Sequence, residues 1–200
     1  MKHLLILFSF LLLSSPVIGD NHKGETLYLW ETSSGYVWRG FGEKGTHPIY
    51  KGDVKNGVPN GVGILIYGNG GKTLGEWKNG KQNGQGTFTY SDGSKYIGTF
   101  RNGQRHGEGN HTFVNGDKYI GELNYELKHG QGTFIYANGD KYIGEYYNNM
   151  RHGEGIYLFA NGIQQKGIWR DGIFIKEFKQ FQNTKFEVCT GLFFHKCKSL

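Results

Sequence analysis

The sequence predicts an all-β fold: an elongated, twisted, single-layer antiparallel array of β-hairpins, about 5.5 repeats of 23 residues with a cap at each end. Three observations predict it. Gly52, Gly75, Gly98, Gly121, Gly144 and Gly167 recur every 23 residues, and a fixed period of that size marks a stacked repeat. Two turn signals fall in each unit. One set ends at Gly57, Gly80, Gly103 and Gly172, the other at Gly70, Gly93, Gly116, Gly139 and Gly162, mostly as Asn-Gly or Asp-Gly. These dipeptides favour tight hairpin turns. The segments between turns are short and rich in Gly, β-branched and aromatic residues, which suits strands and not helices.

Composition agrees with a packed repeat. The 200 residues include 34 Gly, 14 Phe and 13 Tyr but only 3 Pro. The rings supply the apolar area that disordered chains lack, and no Gly-X-Y triplet runs through the chain, so a collagen helix is excluded.

The elements follow in chain order. Residues 1–19 read as a signal peptide: Lys2 and His3 precede an apolar run from Leu4 to Leu13, with small residues at Val17 and Gly19 before a cut after Gly19. The run is short for a ~30 Å bilayer core. It predicts an exported chain, periplasmic or extracellular, or in the secretory pathway of a eukaryotic host. Residues 20–49 carry two Trp and Gly-punctuated turns and are read as an N-terminal cap over the first edge. Residues 50–172 form the array, two strands per unit and eleven in all. Residues 173–200 form a C-terminal cap. Its two Cys, Cys189 and Cys197, read in an exported chain as one disulfide.

Alternation sorts the faces. Tyr96, Gly98 and Phe100 point one way and Lys95, Ile97 and Thr99 the other; on a returning strand Gly130, Gly132, Phe134 and Tyr136 share a face. The rings are expected to lie over the bare glycines and on one another. The candidate partner face is Trp77, Tyr96, Phe100, Tyr119, Tyr136 and Tyr142, with the hydroxyls of Tyr96, Tyr119 and Tyr142 offering hydrogen bonds to an extended ligand. A bare terminal strand would also invite self-association through a sheet edge.

"YIGTFRNGQRHGEG" from Tyr96 and "LGEWKNGKQNGQG" from Leu74 resemble the unit of the MORN-repeat family, and the resemblance runs from Tyr50 to Gly172. It implies an elongated β-hairpin array serving as a lipid-proximal, dimerising or protein-binding scaffold, with no single activity attached. The sequence departs from the pattern in places. Glu126 and Asn149 stand where other units have the turn Gly, and Thr73 and Gln165 where others have a ring. Glu tolerates a left-handed backbone poorly, so the fourth turn is predicted to be a weak point that Glu126→Gly would relieve.

Several tempting sites have plainer readings. "GNGGKT", Gly68 to Thr73, lacks the Gly a phosphate loop needs five residues before Gly71, where Ile66 stands. His106, His129 and His152 form a column, but units lie ~10 Å apart, too far for two to share a metal. They are expected to be solvated turn residues. Glu76, Glu122 and Glu145 form an acid column and Lys72, Lys95, Lys118 and Lys141 a basic one, expected to pair across strands. The formal charge of +6 is concentrated in the tail, where Ile173 to Leu200 holds five Lys and two Glu. The array lacks the basic stripe of a nucleic-acid binder. The expected function is a non-enzymatic exported scaffold binding a protein or peptide along the aromatic face, without cofactor or metal. The alternative is a membrane- or envelope-associated array contacting lipid through its Lys-rich tail.

Overall fold

The structure, a computed structural model, describes residues 24–178. Fourteen antiparallel strands form one open sheet, with no helix among the described residues. A hairpin of β1 (Glu25–Thr32) and β2 (Gly35–Arg39) precedes the array. The array strands are β3 (Ile49–Lys55), β4 (Val58–Ile66), β5 (Lys72–Lys78), β6 (Lys81–Thr89), β7 (Lys95–Arg101), β8 (Gln104–Thr112), β9 (Lys118–Asn124), β10 (Leu127–Ile135), β11 (Lys141–Tyr147), β12 (Met150–Leu158) and β13 (Gln164–Arg170). These are the eleven expected strands. A further strand, β14 (Ile173–Glu177), pairs with β13 and completes a sixth hairpin beyond the eleven strands that the sequence predicts.

The same Asn-Gly or Asp-Gly dipeptide makes two different turns. Within each unit both turn residues have φ > 0, as at Asn102 (52°) and Gly103 (85°). That is a type I′ turn, whose twist matches a hairpin. Between units only the Gly is left-handed, as at Gly93 (89°). There the Tyr90 N–H donates to the Ser94 carbonyl (2.9 Å) and the Gly93 N–H to the Tyr90 carbonyl (3.1 Å). This is a type I turn closed by a bulge, and the Asp92 carboxylate accepts the Ser94 N–H (2.8 Å) in support.

The repeated glycines do two jobs. Gly52, Gly63, Gly75, Gly86, Gly98 and Gly109 pair directly across successive strands, and the line continues through Gly121, Gly132, Gly144 and Gly155 to Gly167. They form a rail one residue wide across eleven strands. A Tyr ring lies along it in four units: a Cβ at Gly132 would sit 2.6 Å from the Tyr119 Oη. The other Gly of each Gly-x-Gly lies in a bulge where three residues oppose one, as His106, Gly107 and Glu108 oppose Thr99. Its φ is positive, 72° at Gly107 and 60° at Gly130, so only Gly fits without strain.

The rings form two clusters. Tyr96, Phe100, Tyr119, Leu123, Tyr142, Tyr146 and Trp169 make the larger, and Leu27, Tyr50, Leu65 and Trp77 the smaller. Edge-to-face contacts link them within each cluster, as between Tyr142 and Trp169 (5.3 Å between centroids).

The N-terminal residues depart from a simple edge cover. β1 pairs with β3 and so lengthens the sheet, leaving β2 as the edge. Trp38 on β2 nevertheless meets Trp77 on β5 at 6.3 Å between ring centroids. Four strand spacings on a flat sheet would be ~19 Å. The β1–β2 hairpin therefore folds over the ring face rather than merely covering an edge. The C-terminal cap expected at residues 173–200 lies outside the described residues beyond Phe178, as do the signal peptide expected at residues 1–19 and the disulfide expected between Cys189 and Cys197.

Candidate functional site: the ring face

The predicted partner residues lie deeper than alternation alone could tell. Trp77, Tyr96, Phe100, Tyr119 and Tyr142 are all buried, Tyr96 and Tyr142 completely; Tyr136 is half-buried. The hydroxyls expected to face a ligand are occupied by the protein. Each donates to the backbone carbonyl three residues on: Tyr96 to Thr99 (3.1 Å), Tyr119 to Glu122 (2.8 Å) and Tyr142 to Glu145 (3.1 Å). Burial holds these phenols well above their ordinary pKa, that of Tyr142 at about 12. These residues are the foundation of the face. Its accessible rings belong to the returning strands and the turns beyond them: Phe88, Tyr90, Phe113, Phe134, Tyr136 and Tyr157.

The acid and His columns also have structural duties. Glu76, Glu122 and Glu145 do not pair with the exposed Lys column. Each carboxylate turns to the bulge opposite it and accepts a backbone N–H: Gln85 to Glu76 (3.3 Å), Gln131 to Glu122 (3.1 Å), Glu154 to Glu145 (3.1 Å). Asp53 accepts the Val62 N–H in the same way (2.8 Å). The bulge frees an N–H from the ladder, and an acid one strand away satisfies it. His106, His129 and His152 are half-buried rather than solvated. His106 packs on Tyr125 (4.7 Å) and His129 on Tyr147 (5.5 Å). Among the described residues no group of His, Cys, Asp or Glu could hold a metal. "GNGGKT" is an inter-unit turn, closed by the Tyr67 N–H on the Gly71 carbonyl (2.8 Å).

Two features of the face went unread in the sequence. The first is a row of cations. Arg105, Lys128 and Arg151 each pair across a hairpin with a core residue, Phe100, Leu123 and Tyr146, and so share the ring face. Lys128 Nζ lies 4.6 Å from the centroid of Phe134, 5.5 Å from that of Tyr119 and 5.6 Å from that of Tyr146. Arg151 lies 4.2 Å over Trp169. Ring faces attract such cations. The 23-residue spacing of these three was a usable signal.

The second is a gap. Thr73 occupies a Tyr position, and Gln82 the position of the cations. The Thr73 hydroxyl donates to Gln82 Oε1 (2.6 Å), and Gln82 Nε2 lies against Gly86 on the rail. Gln82 is 4% exposed, and its Nε2 has no hydrogen-bond partner. Above this pair lies a cleft of about 740 Å³. Leu29, Val37 and Trp38 of the folded-over hairpin form one wall; Tyr67, Trp77 and Phe88 lie on the array side. No carboxylate, His or Cys lines it. Farther along, a hollow of about 650 Å³ runs past Arg105, His111, Phe113, Lys128 and Phe134. His111 is pushed down to about 4, by burial first and then by the Arg105 guanidinium, whose Nη1 sits 3.1 Å from its Nδ1.

Comparison with protein-family models agrees with this architecture. A family model described as "MORN repeat" matches residues 50–72, 74–95, 96–118, 119–141 and 142–164. No curated protein matches the chain. Among solved structures it is similar to the "SAS-4 (dCPAP) TCP domain in complex with a Proline Rich Motif of Ana2 (dSTIL)" of Drosophila melanogaster. That likeness has a TM-score of 0.30 and 10% identity over 72% of this chain and 90% of that one, too loose to bear on fold or function. Matched over more than half its length by five consecutive units with the hairpins in register, the chain belongs to the MORN-repeat family.

Proposed function

We propose that the chain is an exported, non-enzymatic binding module that seats an extended segment of another protein on its ring face. MORN repeats are typically protein- or membrane-binding modules. The observation that carries the protein-binding reading is the cleft over Thr73. It is walled by rings, floored by a buried amide with an unpartnered N–H, and open where Thr73 interrupts the Tyr column. Small concave sites with an apolar lining and few polar groups are the usual form of a recognition pocket. The signal-like residues 1–19 support export. Sequencing the N-terminus of protein recovered from its host tests that part, and a retained Met1 would overturn it.

Filling the cleft tests the binding site. Thr73→Tyr with Gln82→Arg restores the array's own pattern, so the variant should fold. Peptides selected on the immobilised wild-type chain should bind the filled variant far more weakly. Equal binding by a folded variant would remove the cleft from the site.

A further inference from the structure

We propose, building on the ring-face reading, that the segment seated there is acidic, with carboxylates at every third residue read in turn by Arg105, Lys128 and Arg151. The charges of the face point to this chemistry. Across β3 to β13 the acids Asp53, Glu76, Glu122 and Glu145 point to the opposite face and serve its bulges. The positions that share the ring face through cross-strand pairing hold three cations and no carboxylate. Asp92 and Asp117 line the same hollow from the inter-unit turns, where they also serve the turn backbone. There Asp92 accepts from Ser94, and Asp117 from Ala137 and Asn115.

The three cations differ in what already holds them. Arg105 is bound by Glu126 (2.6 Å), and Arg151 donates to the Gly172 carbonyl (2.8 Å). Among the described residues no carboxylate lies within 4.0 Å of the Lys128 ammonium, which sits against three rings, with Asp117 acting on it at longer range. Its half-buried position lowers its pKa through desolvation. A cation held among rings without a direct ion pair favours an anion that approaches from the open side.

Spacing sets the pattern. Neighbouring cations are two strands apart, ~9.6 Å, and an extended peptide in the polyproline II conformation advances ~3.1 Å per residue and returns to the same face every third residue. Three residues therefore span one step. The two residues between acids lie over the accessible rings Phe134, Tyr136 and Tyr157, so apolar or aromatic residues belong there. Recessed single charges between rings suit separate side-chain carboxylates better than a planar bilayer. They also suit them better than a phosphodiester chain, whose charges come closer together.

The test uses the full chain and fluorescent peptides of one composition, read by anisotropy at low and moderate salt. One peptide places Glu at i, i+3 and i+6 among Tyr, Val and Thr. A second clusters the three Glu, and a third replaces them with Lys. The spaced peptide should bind at least about tenfold more tightly than either. Lys128→Met should abolish most of that advantage and Lys128→Arg should retain it. Equal binding by the clustered or Lys peptide, or by Lys128→Met, would overturn the proposal. So would tighter binding of phosphatidylserine vesicles or of a single-stranded oligonucleotide. If the Lys peptide binds and is lost when the cleft is filled, the acidic reading falls and the ring-face reading stands. If no peptide binds, both fall.

Discussion

Replacing Glu126 by Gly puts two effects in competition at one residue. The backbone argument favours the variant. Glu126 sits at φ 74° in a type I′ turn, and Tyr125 before it at 45°. A side chain in that region costs ~1 kcal/mol or somewhat more, which Gly would relieve. The structure shows what the backbone argument omits. The Glu126 carboxylate reaches back one unit, where it accepts the Arg105 N–H on Oε1 and the Arg105 Nε–H on Oε2, both at 2.6 Å. Charge-assisted bonds contribute ~1.5–3 kcal/mol each when well protected. Here the side chains are 18% and 39% exposed, so screening brings the pair to about 2 kcal/mol in all. The net expectation is a destabilisation of about 1 kcal/mol, or a Tm lower by ~2–4 °C. The predicted weak point is thus a reinforced one. Glu126→Gln separates the terms, because it keeps the strain and an acceptor but loses the charge; it should fall between wild type and Glu126→Gly. Urea unfolding of the three proteins measures this. A Glu126→Gly variant as stable as wild type, or more so, would refute the reasoning.

Three other outcomes follow from the packing. Gly132→Ala places a Cβ 2.6 Å from the Tyr119 hydroxyl and should cost ~2–3 kcal/mol by overpacking; urea unfolding that showed under ~0.5 kcal/mol lost would contradict the rail. Tyr119→Phe removes the donor to the Glu122 carbonyl and should cost about 1 kcal/mol. The triple variant with Tyr96→Phe and Tyr142→Phe should melt well below wild type, and an unchanged melting temperature would mean that these bonds contribute nothing. His111 has its pKa lowered from 6.5 to about 4, so its neutral form belongs to the fold. Its contribution is present above pH 6.5 and is lost as pH falls through 4. His111→Phe should therefore flatten the decline of Tm across that window, and an unaltered decline would place the acid sensitivity elsewhere.

The fold was legible because sterics impose the same residue at the same place in every unit. A rail position such as Gly98 admits no Cβ, and a type I′ turn such as Asn102-Gly103 admits few residues, so both leave a period in the sequence. Depth was not legible. Alternation places Tyr96 on a face but cannot tell that its hydroxyl ends on the Thr99 carbonyl. The carboxylates of Glu76, Glu122 and Glu145 looked like surface charges because their partners are backbone N–H groups, freed by a bulge whose only trace is Gly-x-Gly. The Thr73 cleft was visible only as a missing ring. Its meaning came from two distant changes, Gln82 on the returning strand and Trp38 brought over by the folded hairpin.

The backbone-to-backbone hydrogen bonds at the hairpin tips all run one way. The Gly103 N–H donates to Gln82, the Glu126 N–H to Arg105, the Asn149 N–H to Lys128 and the Gly172 N–H to Arg151, each into the preceding unit. The stack therefore has a sense, like a row of shingles. A unit already formed offers backbone acceptors to the one synthesised next, and the later unit answers with acceptors of its own, the Glu126 carboxylate for Arg105, the Asn149 side chain for Lys128 and the Gly172 carbonyl for Arg151. Chains grow from the N-terminus, so each hairpin can lock onto a finished neighbour as it emerges. The glycine rail would tolerate a slip by one whole unit, since every Gly would still meet a Gly. Irregular residues such as Thr73, Gln82 and Glu126 remove that degeneracy, for each fits only the neighbour beside which it is made.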